Sequence, residues 1–181
     1  MRSLGLDVEV VRSAYEEPPH DHLDPRDLAV VHAREKALDV RARRQDAPLV
    51  AADTVVDVDG TAFNKPADAS DARRMLGILS GRDHVVHTAF TFIAQDGTLT
   101  SGVESTQVRF FALTPDEIDA YVASGEPMDK AGAYGIQGIG ATLVERIEGD
   151  FYTVMGFPLG RFVRALAHVD YVLTASAIRS R

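Results

Sequence analysis

Apolar positions along the chain change period often enough to mark out alternating strands and helices. Residues 6–13, LDVEVVRS, alternate apolar and polar and predict a strand. Residues 15–22, YEEPPHDH, join adjacent prolines to clustered acids and predict a loop. Asp24, Pro25 and Asp27 then supply an N-cap, a first-turn proline and an acid at the positive helix end. Leu28, Val31, Ala37 and Leu38 recur at helical spacing, so a helix is expected over 25–43. It closes on Arg41, Arg43 and Arg44, read either as a phosphate patch or, more commonly, as charge complementing the helix dipole.

Residues 48–60, PLVAADTVVDVDG, read as an apolar strand closed by an Asp-Gly turn. A helix is expected from about Ser70, with Ala72, Met75, Leu76 and Leu79 inward and Gly81 as C-cap. Residues 84–113 form an antiparallel hairpin turning near Asp96-Gly97. Residues 114–125 give a helix with cap Thr114, first-turn Pro115 and capping-box partner Glu117. Then comes DKAGAYGIQGIGA (129–141), followed by a strand in ATLVERIEGD and a helix in PLGRFVRALAHV. The pattern is that of a mixed α/β domain. Glycines at such density weaken helix and strand alike, so the backbone there is shaped around something.

Composition narrows the class. The chain has 181 residues, 45% of them hydrophobic, which suits a single globular domain. A net charge of −8 argues against a broad nucleic-acid surface, although a few lysines and a metal ion can still gather an anionic small molecule. The absence of cysteine removes disulfides, thiol catalysis and cysteine-based zinc sites. No apolar run approaches a membrane span and no signal peptide opens the chain, so a cytoplasmic setting is expected.

Asp53 is the most informative residue. Its apolar neighbours in LVAADTVV place it inside a sheet, where an ionised carboxylate is costly unless paired, hydrogen-bonded or bound to metal. It either occupies a cleft or ends the strand in an Asx turn with Thr54. Lys65, before Pro66, is aimed by the fixed proline backbone, though a lone lysine there is usually a surface residue. Lys36 and Glu35 read by themselves as a polar helix face. Glu16 and Glu17 can offer oxygen ligands to a divalent ion, but solvated loop acids are commoner. His20 and His22 lack a third matched metal ligand. No G-x-x-x-x-G-K-[ST], dinucleotide fingerprint or G-x-S-x-G elbow is present.

The stretches AADTVVDVDGTAFNKPADASDARRMLGILSGRDHVVHTAFTF and SGEPMDKAGAYGIQGIGATLVERIEGDFYTVMGFPL resemble the two hallmark blocks of the Maf family of nucleoside triphosphate pyrophosphatases. The resemblance implies an α/β fold, an elongated mixed sheet with flanking helices, its two lobes around a nucleotide cleft, as in inosine triphosphate pyrophosphatases. It implies hydrolysis between the α- and β-phosphates with a divalent metal, Mg2+ or Mn2+, and a homodimer. Asp53 matches the proton acceptor for the attacking water and a metal ligand, Glu17 a second metal ligand, and Lys65 and Lys36 catalytic lysines. Thr54 and Gln137 fall on positions linked to base selectivity, with Lys130 and Gly135 as further substrate-binding residues. The form AGAYGIQG resembles the dTTP and UTP branch, with modified pyrimidine nucleotides as further candidates. On that reading the glycines let backbone amides approach the nucleotide, and Gln137 can donate to and accept from a pyrimidine edge.

Family chains open with a strand, a Ser-x-Ser-Pro-Arg-Arg loop and a helix ahead of a segment like RSLGLDVEVV. The expectation is therefore a single Maf-like domain over 1–181, truncated at its N-terminus. Either the start is assigned too late, which locally consistent later motifs favour, or catalysis is weakened. The rival function is a nucleotide-binding regulator of cell division and septum formation without turnover. Asn64 replaces the usual glycine before Lys65, and Glu16 the usual aspartate.

Overall fold

The structure is a computed structural model that describes residues 6–18, 23–174 and 177–180. Helix α1 (Pro25–Arg43) starts as the sequence predicts, with the Asp27 amide donating to Asp24 at 2.9 Å. Strand β1 (Leu49–Val58) turns through Asp59 and Gly60, both at positive φ, into β2 (Thr61–Phe63). This is the mirror-image turn whose twist suits a hairpin. Helix α2 (Ala69–Leu79) is capped by Asp68 and followed by Gly81 at φ +69. Strands β3 (Asp83–Ile93) and β4 (Leu99–Phe110) form the long hairpin, and α3 (Pro115–Ala123) carries the predicted capping box. After three short 3-10 turns come β5 (Val144–Glu148), α4 (Phe151–Val154), α5 (Leu159–Leu166), β6 (Tyr171–Leu173) and β7 (Ile178–Ser180). No described helix is long and apolar enough to cross a membrane.

The main sheet has the order β2-β1-β3-β4-β5, and every pairing in it is antiparallel. β3 is its central strand, which is why its side chains are buried at nearly every position. Helix α1 covers one face, packing Leu28, Ala29 and Ala33 on Val55, Ala89 and Val103. The other face carries separate apolar clusters. One joins Val56, Val86 and Phe110 to Met75 and Leu79 of α2 and Tyr121 of α3. The second joins Phe90 and Phe92 to Phe162 and Leu166 of α5. Between them lies a polar row, Thr54 opposite Thr88 in the β1–β3 register. The Thr54 and Thr88 hydroxyls are hydrogen-bonded at 2.9 Å, and the Thr88 hydroxyl donates to the Thr153 carbonyl at 2.7 Å. That row separates the lobes.

The structure departs from the expectations in three places. Residues 6–13 form no strand; among the described residues none pairs with them. Polar contacts tie the segment to α1 instead: the Ser13 hydroxyl and the Ala14 amide donate to Asp39 at 2.9 and 2.8 Å, and Arg44 clasps Glu9 at 2.7 Å through both terminal nitrogens. The short α4, capped by Asp150, was not expected. The buried face of α1 runs through Leu28, Ala29, His32, Ala33 and Ala37, while Leu38 points outward. That turn of the helix matters, because Lys36 lies one turn beyond His32 and Ala33.

Candidate active site

A cavity of about 300 Å³ opens where, among the described residues, the first half of β1 pairs with β3 alone. Glu17, Lys36, Asp53, Thr54, Lys65, Lys130, Gly135 and Gln137 all line it. These eight residues, which the family resemblance assigns to a site, are thus brought to one recess from segments far apart in the chain, while Glu16 does not line it. His20 and His22 lie outside the described residues. Arg41, Arg43 and Arg44 do not line the cavity: Arg41 donates to the Ile93 and Ala94 carbonyls at 3.0 and 2.6 Å, and Arg43 pairs with Asp39. They fasten the end of α1, and the phosphate-patch reading falls.

One end of the cavity is ionic. The Lys36 ammonium lies 2.5 Å from Asp53 Oδ1 and 2.6 Å from Glu17 Oε1. The Asp53 side chain is only 8% exposed, and burial pushes its carboxyl above the usual aspartate pKa even against the pull of Lys36. Burial also works against the charge of Lys36, but Asp53 and Glu17 together hold it above the ordinary lysine value. Burial raises the Glu17 pKa too, yet its hydrogen bond to Lys36 and the nearby positive charge leave it lowered. Oδ2 of Asp53 has no hydrogen bond among the described residues. Lys65 is exposed beside this trio, forms no ion pair among the described residues and lowers the Glu17 pKa by its charge.

His32 was not singled out by its sequence. It is buried behind the trio and bonded to the Tyr15 hydroxyl at 3.1 Å, close enough for its imidazole to bear on the ionisation of Asp53 and Glu17. Its place after Ala29 and before Lys36 on one helical face is the signal that finds it.

The other end is built from backbone. Lys130 donates to Asp129 at 2.6 Å and to the Glu126 carbonyl at 3.0 Å, and a Cβ on Gly135 would lie 2.8 Å from its Cε. Its stem therefore covers Gly135. Gln137 is exposed, with no side-chain hydrogen bond among the described residues. Tyr134 closes the floor, its hydroxyl 2.8 Å from His84 Nε2. The amides of Ile139 and Gly140 do not face the cavity: both donate to Glu126, at 3.0 and 2.9 Å. Those amides were expected near a ligand and are turned on the protein instead, because a short 3-10 turn leaves its first amides without partners. Glu126 stands twelve residues ahead of that turn, so no local pattern in the sequence pairs the two.

The arrangement offers a base, cations and a separate hydrogen-bonding surface within one recess. Residues 1–169 match the family described as Maf-like protein. A dTTP/UTP pyrophosphatase of Bacillus cereus (strain AH820) is 42% identical over 170 residues, covering 94% of this chain and 88% of that protein. One from Bacillus anthracis has the same identity and coverage. One from Bacillus cytotoxicus is 43% identical over 162 residues, covering 90% and 84%.

Proposed function

The chain belongs to the Maf-like family, and from that premise we propose that it hydrolyses dTTP and UTP to the nucleoside monophosphate and pyrophosphate. One observation carries this reading. A buried carboxylate paired with a cation, Asp53 with Lys36, shares a cavity with Lys65 and with the exposed side-chain amide of Gln137.

Lys36 holds Oδ1 of Asp53, so Oδ2 is the atom that takes a proton from the attacking water. The water oxygen bonds to the α-phosphorus as the bond to the β-bridging oxygen breaks, and pyrophosphate leaves with that electron pair. Burial makes Asp53 a stronger base than an exposed aspartate once it is ionised. Lys65, beside the trio and without an ion pair among the described residues, supplies charge to the departing phosphates. Gln137 presents both a donor and an acceptor to a pyrimidine edge.

Among the described residues no group of three or more His, Asp or Glu can hold a metal. Glu17 and Asp53 both hold the Lys36 ammonium, and beside it these two carboxylates would offer hard oxygen ligands to Mg2+ or Mn2+, with substrate phosphates and water supplying the remaining ligands. When bound, the ion supplies Lewis-acid stabilisation of phosphate charge. The same reading includes a cytoplasmic homodimer.

Pyrophosphate release measured over dTTP, UTP, dATP and dGTP, with Mg2+ or Mn2+, tests the proposal. Release from the pyrimidine nucleotides is expected. Nucleotide binding with no release would move the reading to a regulator without turnover.

A further inference from the structure

The stretch 135–140 faces the cavity with Gly135, Ile136 and Gln137, yet it has no regular ladder to hold its shape. Two of its amides are collected by one acid outside the cavity. Glu126 Oε1 accepts from the Gly140 amide at 2.9 Å and from the Tyr121 hydroxyl at 3.0 Å, and Oε2 accepts from the Ile139 amide at 3.0 Å. The Tyr121 hydroxyl in turn accepts from the Gly135 amide at 3.2 Å. Lys130 adds a bond to the Glu126 carbonyl at 3.0 Å. Neither Glu126 nor Tyr121 lines the cavity.

The glycines fit this contact. A Cβ on Gly138 would stand 2.7 Å from Glu126 Oε2, and one on Gly140 would stand 2.5 Å from the Tyr121 hydroxyl and 2.3 Å from the Gly135 carbonyl. Gly138 also sits at φ +70, which favours glycine. Gly138 and Gly140 thus admit a carboxylate and a phenol behind the wall. The partners of Glu126 here are all donors, and an ionised carboxylate is purely an acceptor, so the charge state matches the task.

We propose that Glu126 is a positioning residue for base recognition: with Tyr121 it fixes the 135–140 wall, and so sets where Gln137 meets the base, without touching the nucleotide. This rests on the hydrolase reading above. A hydrogen-bonding site discriminates only while its donors and acceptors are held in place.

Glu126→Gln keeps the size but sets an NH2 against a backbone N–H. The test compares kcat and KM for dTTP, UTP and dGTP, with inhibition by inorganic tripolyphosphate, which has no base. In Glu126→Gln, KM for dTTP is expected to rise about tenfold and the preference over dGTP to fall about as much, with kcat within about threefold. Tripolyphosphate inhibition should be unchanged. Tyr121→Phe, which cannot accept from Gly135, should act in the same direction and carries the test if Glu126→Gln does not fold. Full preference retained in the folded variants, or tripolyphosphate inhibition weakening in step with KM, would overturn the proposal. Should the wild type release no pyrophosphate, the hydrolase reading fails separately, and the base preference is then read from calorimetric binding of the same nucleotides.

Discussion

The two ends of the cavity solve opposite problems with opposite materials. The ionic end places side chains from rigid elements, Lys36 on α1 and Asp53 on β1, and its properties lie in charge and burial. The glycine-rich end places backbone from an irregular segment, and its properties lie in where amides are tied. Chemistry at the first end can be altered by changing charge with little movement. Recognition at the second can be altered by releasing a tether that never meets the ligand.

The largest expected effect comes from removing the base. Asp53→Asn should lower pyrophosphate release about a thousandfold or more while keeping the fold, checked by rate and by thermal unfolding. A raised folded-state pKa means that the native state binds more protons than the unfolded chain between the two values. Ionising Asp53 therefore costs stability as pH rises through that window. Asparagine removes that cost but leaves Lys36 with Glu17 alone, and these effects oppose each other. An unchanged rate would remove Asp53 from the chemistry.

Lys36→Met should lower kcat/KM about a hundredfold near neutral pH. It also sharpens the charge side of the comparison. Activity should fall on acidification as Asp53 takes up a proton, at a pH above the ordinary aspartate range. Lys36 opposes that protonation, so its loss should move the acidic limb of the kcat/KM profile to higher pH. An unmoved limb would uncouple Lys36 from the base.

Sequence patterns disclosed much of the ionic end and less of the other. Asp53 stood out because a carboxylate in an apolar strand needs a reason, and Asp24 with Pro25 marked the start of α1. The buried face of α1 was misread because Leu38 and Val31 are larger than the alanines that pack against the sheet. Ala29, Ala33 and Ala37 recur every four residues and mark the close contact, with Lys36 beside them. Residues 6–13 looked like a strand because their apolar and polar letters alternate, yet Val10 is exposed and the segment is fastened to α1 by polar contacts rather than by pairing. The glycine run announced a special backbone but not its partner. Glu126 and Tyr121 act through contacts that local periodicity does not encode.

Gln137→Ala tests the recognition end directly. The preference for dTTP over purine nucleotides should fall about tenfold, with kcat on dTTP reduced less than about threefold. Unlike Lys36→Met, it should leave the acidic limb of the pH profile in place. An unaltered substrate profile would deny Gln137 contact with the base.

The smallest effect on rate, and one visible in stability, concerns the floor beneath the glycine-rich wall. His84 is buried in β3 with Nε2 on the Tyr134 hydroxyl and its ring edge-on to Phe110, 5.1 Å between centroids. Its Nδ1 is buried with no hydrogen-bond partner among the described residues. Burial drives its pKa from 6.5 down to about 4, with Arg82 adding to the shift and Asp83 opposing it. The unfolded chain therefore binds a proton that the native state refuses, and stability is lost as pH falls from about 6.5 toward 4. At pH 5 this contributes about 2 kcal/mol of destabilisation relative to pH 7.5. His84→Gln keeps an acceptor for Tyr134 but does not titrate, so its urea midpoint should change less between those pH values. The opposite trend from Asp53 is present in both proteins and cancels in the difference. Equal pH dependence in the two would mean that protonated His84 is tolerated under the wall, and that Tyr134 is not held there by a neutral imidazole.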